Sequence, residues 1–262
     1  MDVVLVSPRN PLNIGAAARA MANFGFSRLA VVAPWEPHWQ EARSAVGADD
    51  LLQNARRTES LGEAVSGCTL VAGTGTLTFR KAEQKVVRLP DFAPHVQQEM
   101  ERGGHVALVF GPEKHGLTRE DLSYCHLLVE IPTDDRQPSM NLGQAVAVCL
   151  YELRRSLDAE ERLPEEDSSF PSLRQEEITR TGHGDLVAEP AGVSGRAAAS
   201  DRLELLAGVV ERTMVAANYS PASMREANRH DLRLLLRRLA PSERDARRIL
   251  GLFRRILWRL ER

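Results

Sequence analysis

The sequence predicts an α/β protein built on a parallel sheet and followed by a small all-helical domain. Short apolar runs alternate with helix-like stretches through residue 155. An acidic segment with scattered proline and glycine interrupts this alternation at about 158–199, and helical periodicity returns over 200–262. Alternating strands and helices are typical of a parallel sheet covered on both faces.

The individual elements follow from their apolar patterns. Several strand-like runs are apolar throughout, as expected for strands buried on both faces. The predicted strands are 3–6, 29–32, 70–73, 106–110 and 127–131. The predicted helices between them are 14–24, 60–66, 91–102, 118–123 and 141–156. Three further helices are predicted in the last 60 or so residues, from apolar faces with a spacing of three and four.

Charge is distributed unevenly along the chain. Residues 156–199 carry a net charge of −6, whereas residues 200–262 carry +6 and use arginine as their only basic residue. We interpret 158–199 as a flexible acidic linker and 200–262 as an arginine-rich, RNA-binding helical domain, because guanidinium groups pair well with phosphate. A solvated helical face is the alternative interpretation of these arginines.

Composition excludes several classes of protein. A hydrophobic content of 43% and a charged content of 27% are ordinary for a soluble globular chain. No run approaches the roughly 18–20 apolar residues of a membrane span. We also recognise no secretory signal, and the cysteines Cys68, Cys125 and Cys149 match no metal-binding spacing. We therefore expect a cytoplasmic protein with reduced thiols and no metal.

The first polar segment follows the first predicted strand. Asn13 is a plausible N-cap of the next helix, and Gly15 with the three alanines after it allows a close approach by backbone or ligand. Arg19 lies six residues beyond Asn13, so the two side chains can face the same end of a site. A capped helix with one surface arginine is the alternative.

Two more polar segments follow the strands at 106–110 and 127–131. The first is a turn that reads Phe110-Gly111-Pro112-Glu113 and reaches Gly116, with backbone groups that can contact an adenine or a ribose. The second is a proline-bounded polar loop before Ser139-Met140-Asn141-Leu142, where Ser139 or Asn141 is the natural N-cap. Ligands bind beyond the carboxyl ends of strands in open α/β sheets. A glycine fingerprint and a P-loop are both missing, which disfavours a nicotinamide-dependent dehydrogenase.

In this order and at these spacings, the three segments resemble the signature motifs of the TrmH-like branch of the SPOUT superfamily of RNA methyltransferases. The resemblance covers residues 1–155, and the helical tail after a linker is similar to the TrmJ subgroup. It implies a methyltransferase domain at 1–157 whose stretch at about 105–157 forms a trefoil knot, an exception to the rule that chains do not thread loops. It also implies a homodimer, bound S-adenosylmethionine, and methylation of the ribose 2′-hydroxyl of a cytidine or uridine in the tRNA anticodon loop, at position 32.

The resemblance assigns roles to particular residues. The implied cofactor-binding residues are Thr74, Gly75, Thr76, Gly111, Ile131, Ser139, Met140, Asn141 and Leu142. The implied catalytic residues are Asn13, Arg19, Glu113, Ser139 and Asn141. Arg19 would act as the base, or it would hold a phosphate or stabilise the developing alkoxide, which suits its high pKa better. Glu113 would hold an arginine or a ribose hydroxyl.

RNA contacts are expected outside the knot. The predicted RNA-binding residues are Arg9, Arg80, Arg225, Arg229, Arg233 and Arg237, of which the last four form a stripe with a spacing of four residues. Arg80 stands farther along the chain than the arginine of similar proteins, which leaves its role open. Trp35 and Trp39 can stack on a base, although packing is the favoured interpretation.

Two alternative functions remain at this point. The protein could methylate ribosomal RNA instead of tRNA, since the knot motifs do not separate the two. It could also be a non-catalytic RNA-binding protein of the same fold, against which the presence of Arg19, Glu113, Ser139 and Asn141 argues. Base methylation is disfavoured by the pair of Asn13 and Arg19.

Overall fold

A seven-stranded parallel sheet lies at the centre of the first part of the chain. The structure, a computed structural model, describes residues 1–75, 83–161 and 196–262. In these ranges the strands are β1 (Asp2–Val6), β2 (Leu29–Val32), β3 (Arg56–Thr58), β4 (Leu70–Thr74), β5 (Lys85–Arg88), β6 (Val106–Phe110) and β7 (Leu127–Glu130). Their order is β3-β2-β1-β6-β4-β7-β5, and every neighbouring pair is parallel. The predicted parallel α/β fold is confirmed.

The five predicted strands are all present, and the apolar pattern does not predict the two edge strands. In β3 and β5 only Thr58 and Val87 are buried, and all the exposed positions except Val86 carry arginine or lysine. An edge strand is covered on fewer sides than a central one, so it tolerates charged residues. The central strands β1, β2 and β6 are buried at every position.

Helices cover the two faces of the sheet unequally. In chain order they are α1 (Pro11–Asn23), α2 (Asp49–Gln53), α3 (Leu61–Ala64), α4 (Ala93–Glu101), α5 (Arg119–Ser123) and α6 (Leu142–Glu161). The helices α1, α2, α4 and α6 pack on one face. The other face carries only the short helices α3 and α5 among the described residues of this domain, which leaves room for further packing.

The end of the chain forms three helices, as predicted: α7 (Ser200–Ala216), α8 (Arg225–Leu239) and α9 (Glu243–Leu260). Leu203, Leu206, Leu236 and Leu250 form their common core. Most of the predicted linker at 158–199 lies outside the described residues. In the described part of the chain, no helix has the length and apolar character needed to cross a membrane.

The arginine stripe of α8 pairs with glutamates of α7. Arg225 and Arg229 pair with Glu211, and Arg233 and Arg237 pair with Glu204. The two glutamates stand seven residues apart, which is about two helical turns. Each glutamate therefore faces two arginines that are one turn apart on α8.

The prediction that Arg233 and Arg237 bind RNA is wrong. Their side chains are only 7% and 1% exposed, so phosphate groups cannot reach them. A buried guanidinium is stable only when it is paired, and here it is committed to Glu204. Arg225 and Arg229 keep about half of their side-chain surface, and their contact with RNA stays a prediction.

Arg233 also joins the helical domain to the sheet domain. It donates hydrogen bonds to Glu120 and to the hydroxyl of Tyr124. Its guanidinium carbon lies 4.2 Å from the centroid of the Tyr124 ring, a cation–π distance. At the start of α7, the Ser200 N–H donates to the carbonyl of Cys68 over 2.9 Å. The helical domain therefore docks on the thinly covered face of the sheet.

Replacing Arg237 tests this assignment. Arg237→Ala removes one of the two partners of Glu204 and opens a gap between α7 and α8, so we expect a loss of about 3 kcal/mol in the free energy of unfolding. Chemical denaturation measures it. The matched control is Arg238→Ala, the next residue on the same helix, which is exposed and should change stability by less than about 0.5 kcal/mol. Equal effects of the two variants would contradict the buried ion pair.

Candidate functional site

The polar segments after β1, β6 and β7 meet at the carboxyl ends of the strands. Leu5 is in register with Phe110, and Thr74 with Val129, so the carboxyl ends of β1, β6, β4 and β7 lie side by side. A cavity of about 230 Å³ opens between the loops that follow β4, β6 and β7. Its position is the one at which open parallel sheets bind ligands.

The loop after β6 folds back tightly on itself. A Cβ atom at Gly111 would lie only 2.2 Å from the backbone nitrogen of Leu117, so no larger residue fits there. Gly116 has a φ of +63° and donates its N–H to the Pro112 carbonyl over 2.9 Å. These glycines allow backbone groups, rather than side chains, to line this part of the cavity.

The loop after β7 leads into α6 through a side-chain cap. The Asn141 Oδ1 atom accepts a hydrogen bond from the Gly143 N–H over 2.9 Å. Asn141, and not Ser139, is therefore the N-cap, one of the two possibilities that the sequence left open. Within the loop, the Thr133 hydroxyl donates to the Pro138 carbonyl over 3.2 Å, which closes the polar segment.

Most of the predicted cofactor-binding residues lie in the cavity wall. These residues are Thr74, Gly75, Gly111, Ile131, Ser139, Met140 and Leu142. Asn141 caps α6 beside the wall, and Thr76 lies outside the described residues. Five further residues of the cavity wall were not predicted to bind the cofactor: Phe110, Leu117, Thr133, Pro138 and Ala145. Their only signal in the sequence is that they lie close to predicted residues, at the end of β6, in the two loops or at the start of α6.

A chain of side-chain hydrogen bonds connects the three segments. The Asn141 amide donates to Asn13 Oδ1 over 2.9 Å, and the Asn13 amide donates to Glu113 Oε1 over 2.8 Å. The prediction that Asn13 is the N-cap of α1 is wrong. Asn10 takes that role, because its side chain accepts from the Leu12 N–H over 3.0 Å. Asn13 is thus free to bridge the two other segments.

Glu113 holds the loop after β1. Its carboxylate accepts hydrogen bonds from the backbone N–H groups of Arg9 and Asn10, over 3.1 and 3.2 Å. Partial burial on its own would raise the pKa of Glu113. The hydrogen bonds from Asn13 and from the backbone outweigh burial and hold this pKa below its ordinary value. Glu113 is therefore ionised at neutral pH, with its oxygens directed to the loop.

A model of the SpoU rRNA methylase family matches residues 1–151 of the chain. The chain belongs to the SpoU rRNA methylase family. A relative from Pseudomonas aeruginosa (strain UCBPP-PA14), a tRNA (cytidine/uridine/adenosine-2′-O-)-methyltransferase TrmJ, is 38% identical over 81% of this chain and 76% of its own length. A tRNA (cytidine/uridine-2′-O-)-methyltransferase TrmJ from Shigella dysenteriae (serotype 1, strain Sd197) is 31% identical over 99% of this chain and 94% of its own.

Solved structures agree with this family. The crystal structure of TrmJ from Z. mobilis ZM4 has a TM-score of 0.76 and 26% identity, and the match covers 97% of this chain and 98% of that one. A probable methyltransferase from Bordetella pertussis Tohama I has a TM-score of 0.55 and 30% identity over 60% of this chain. The first match extends over the helical domain as well as the sheet.

In this member of the SpoU family, the remaining predicted catalytic and RNA-binding residues occupy different positions relative to the cavity. Ser139 is exposed in the cavity wall. Arg19 is exposed on α1, outside that wall, and forms no ion pair with the described residues. Arg9 is exposed and joins the site through its backbone. Arg80 lies outside the described residues.

A cluster at the amino ends of the strands consists of residue types that can bind a metal ion. Potential ligand atoms of Asp2, Cys68 and His105 lie within 4.8 Å of one another. However, Arg28 and Arg56 both pair with the Asp2 carboxylate, and burial together with the charge of Asp2 raises the pKa of Cys68 to about 12. A protonated thiol beside a carboxylate that is already paired with two arginines is a poor metal site.

The chain of hydrogen bonds predicts a pH-dependent effect of Asn13→Asp. The variant places a second carboxylate 2.8 Å from Glu113 Oε1, so the pair has one raised pKa. A raised folded-state pKa costs stability above the pKa of the unfolded carboxyl. We expect a loss of about 1–2 kcal/mol in the free energy of unfolding at pH 7 that shrinks toward pH 4.5.

Asn23→Asp is the matched control, because it introduces the same charge at an exposed position of the same helix. It should lose less than about 1 kcal/mol at pH 7, the cost of a negative charge at the C-terminal end of α1. A pH-independent loss in Asn13→Asp, or the same loss in both variants, would show that Asn13 does not bridge to Glu113.

Proposed function

We propose that this protein transfers the methyl group of S-adenosylmethionine to the ribose 2′-hydroxyl of a cytidine or uridine in the anticodon loop of tRNA, at position 32. The observation that carries this proposal is a cavity that adjoins the Glu113–Asn13–Asn141 chain of hydrogen bonds. It supports a pocket for the methyl donor beside polar groups from α1. The TrmJ relatives, which are named for tRNA 2′-O-methylation, support the substrate.

The cavity wall suits the adenosyl part of the methyl donor. Ile131 and Leu142 offer apolar surfaces for the faces of an adenine, and the backbone groups of the loops at 111–117 and 138–140 can pair with its edge. Thr74 and Gly75 would hold the remainder from the end of β4. When bound, S-adenosylmethionine supplies a methyl group that its sulfonium charge already activates.

The residues of this chain must align a weak nucleophile and stabilise its charge. Glu113 does not act as the proton acceptor, because its carboxylate already accepts three hydrogen bonds and its pKa is lowered. It positions the loop after β1 instead, and its carboxylate contacts no arginine side chain in the part of the chain that the structure describes. Asn13 and Asn141 keep the start of α1 and the start of α6 at a fixed separation.

Arg19 is the remaining catalytic group. A guanidinium is a cation that pairs with anionic oxygens, so Arg19 stabilises the developing alkoxide or holds the adjoining phosphate. Ser139 is exposed in the cavity wall and shapes the space between donor and acceptor.

The quaternary structure and the knot belong to the same proposal. We propose a homodimer in the cytoplasm with the stretch at about 105–157 threaded into a trefoil knot. The packed helices α1 and α6 expose Leu12, Val148 and Tyr151, at 54%, 36% and 54% of their surfaces. An apolar surface of this kind beside the site supports an interface there.

Ribosomal RNA is the second candidate substrate. The observation that favours it is the family description, which refers to rRNA. The relatives that extend over the helical domain are named for tRNA instead, which is why we place tRNA first.

A methyl-transfer assay tests the function. The protein would be incubated with methyl-labelled S-adenosylmethionine and unmodified tRNA transcripts or ribosomal RNA, and the digested products would be analysed for 2′-O-methyl nucleosides. We expect label in tRNA that disappears when the pyrimidine at position 32 carries a 2′-deoxyribose. Label only in ribosomal RNA would favour the second candidate. Label that persists on the deoxy substrate would overturn position 32, and label recovered in a base instead of a 2′-O-methyl ribose would overturn ribose methylation.

Arg19→Ala tests the catalytic assignment. We expect kcat to fall by about 100-fold or more, because the developing negative charge loses its stabilising group, while the Kd for S-adenosylmethionine stays unchanged. Arg102→Ala is the control: it removes an exposed arginine just before β6, at the opposite edge of the sheet, and should leave kcat unchanged. A near wild-type rate in Arg19→Ala would rule out this role.

A further inference from the structure

The loops after β1 and β2 are built alike. Val6 pairs with Val32 in the parallel register. Each strand is followed by one small residue with a Cβ atom and then by a proline. The two loops read Ser7-Pro8-Arg9 and Ala33-Pro34-Trp35. Because the register is one to one, Arg9 and Trp35 occupy equivalent positions beyond neighbouring strands.

Both loops hold a strained backbone. Ser7 has a φ of 44° and Ala33 a φ of 41°, in the left-handed region that residues with a Cβ rarely adopt. Each of them precedes a proline, which restricts the backbone further. Strain of this kind persists only where the surrounding structure enforces it, and it concentrates at functional sites. Here the hydrogen bonds from Ser7 N–H to Val32 and from Ala33 N–H to Thr58, both 2.8 Å, enforce it.

The two loops direct an aromatic ring into solvent. Trp35 is 71% exposed, whereas Trp39, four residues later, is 1% exposed in the core. The favoured sequence interpretation, packing, is thus confirmed for Trp39 and wrong for Trp35. The backbone N–H of Trp35 donates to the Pro8 carbonyl over 3.2 Å. The Arg9 guanidinium carbon lies 5.4 Å from the centroid of the Trp35 ring. The indole is therefore oriented while most of its surface stays free.

This ring stands next to the proposed active site. The backbone N–H of Arg9 is bound to the carboxylate of Glu113 over 3.1 Å, and Glu113 lines the cavity. Arg9 therefore contacts both the exposed indole and Glu113, a residue of the cavity wall. Both loops leave the carboxyl edge of the sheet, where the cavity opens.

We propose that Trp35 is a stacking platform for an unpaired base of the RNA substrate, with Arg9 beside it. The inference rests on the proposed function, since it assigns a substrate contact at the same site. Unpaired bases are recognised by stacking on aromatic rings and guanidinium planes, and Arg9 adds a charge that pairs with phosphate. A base stacked here positions the neighbouring ribose toward the cavity.

The test compares Trp35→Ala and Trp35→Phe with the wild-type enzyme. Trp35→Ala should raise the KM for tRNA by about tenfold, within the range found for loss of a single base–aromatic stack. Trp35→Phe keeps an aromatic face and should recover most of the affinity. The Kd for S-adenosylmethionine and the Tm should stay at their wild-type values. The control is Met100→Ala, which removes a large exposed side chain (52%) near the end of α4, on the side of the sheet opposite the cavity.

Three results would overturn the proposal. The first is an unchanged KM for tRNA in Trp35→Ala. The second is an equal loss of affinity in Met100→Ala, which would indicate that any large exposed side chain contributes. The third is a fall in Tm or in cofactor affinity that matches the loss of tRNA affinity, which would indicate that the Arg9–Trp35 pair only holds the loops together.

Tryptophan fluorescence gives a readout that does not depend on methyl transfer. In a Trp258→Phe background, Trp35 is the one exposed tryptophan left in the sequence, since Trp39 is buried. Adding tRNA should quench its emission, and the quenching should vanish when Trp35→Phe is added. If methyl transfer fails for the wild type but quenching occurs, the proposed function is wrong and the platform stands. If methyl transfer succeeds without quenching, the platform is wrong.

Discussion

The carboxylate of Glu113 connects the loop after β6 to the loop after β1, although the two loops are far apart in the sequence. It accepts two backbone N–H groups from the loop after β1 and the amide of Asn13. These groups lie about a hundred residues away along the chain, but β1 and β6 are neighbours in the sheet, so their loops start side by side. The parallel register brings the segments together, and the charged hydrogen bonds then orient them. Asn141 extends this link to the loop after β7.

The same arrangement explains how strain and exposure coincide near the site. The loop after β1 is held from one side by Glu113 and from the other by the loop after β2. With both contacts in place, Ser7 and Ala33 keep left-handed backbones, and Arg9 and Trp35 project into solvent. A flexible loop would not hold a large aromatic ring in one orientation. Rigid support from the sheet is what makes an exposed indole useful for binding.

The sequence predicted the central strands and the loops at their ends from local patterns, and its resemblance to SPOUT methyltransferases predicted most of the residues of the cavity wall. Apolar runs mark buried strands, and glycines or prolines at strand ends mark loops such as 111–117. It did not predict the buried arginines of α8, because a spacing of four residues is the same for a surface stripe and for a row of ion pairs. Only Glu204 and Glu211 on α7 separate the two cases. The cap at Asn10 was missed because Asn13 fits the same local rule.

The buried arginines of α8 show that the positive charge of the helical domain is not all available at its surface. Much of the positive charge of α8 is neutralised inside the domain by α7 and at its contact with α5. The exposed arginines of the domain are concentrated instead on α9, where Arg244, Arg247, Arg248, Arg254, Arg255 and Arg259 face solvent. Net charge alone therefore predicted a cationic surface for this domain but not the helix that presents it.

The most direct test of the site is a crystal structure of the protein with S-adenosylhomocysteine. Our account predicts the adenosyl group in the cavity between the loop at 111–117 and the start of α6. It also predicts that Glu113 still accepts from the backbone of Arg9 and Asn10, and that Asn13 still bridges to Asn141. A ligand bound elsewhere, or a Glu113 that leaves the loop to contact the ligand, would contradict it.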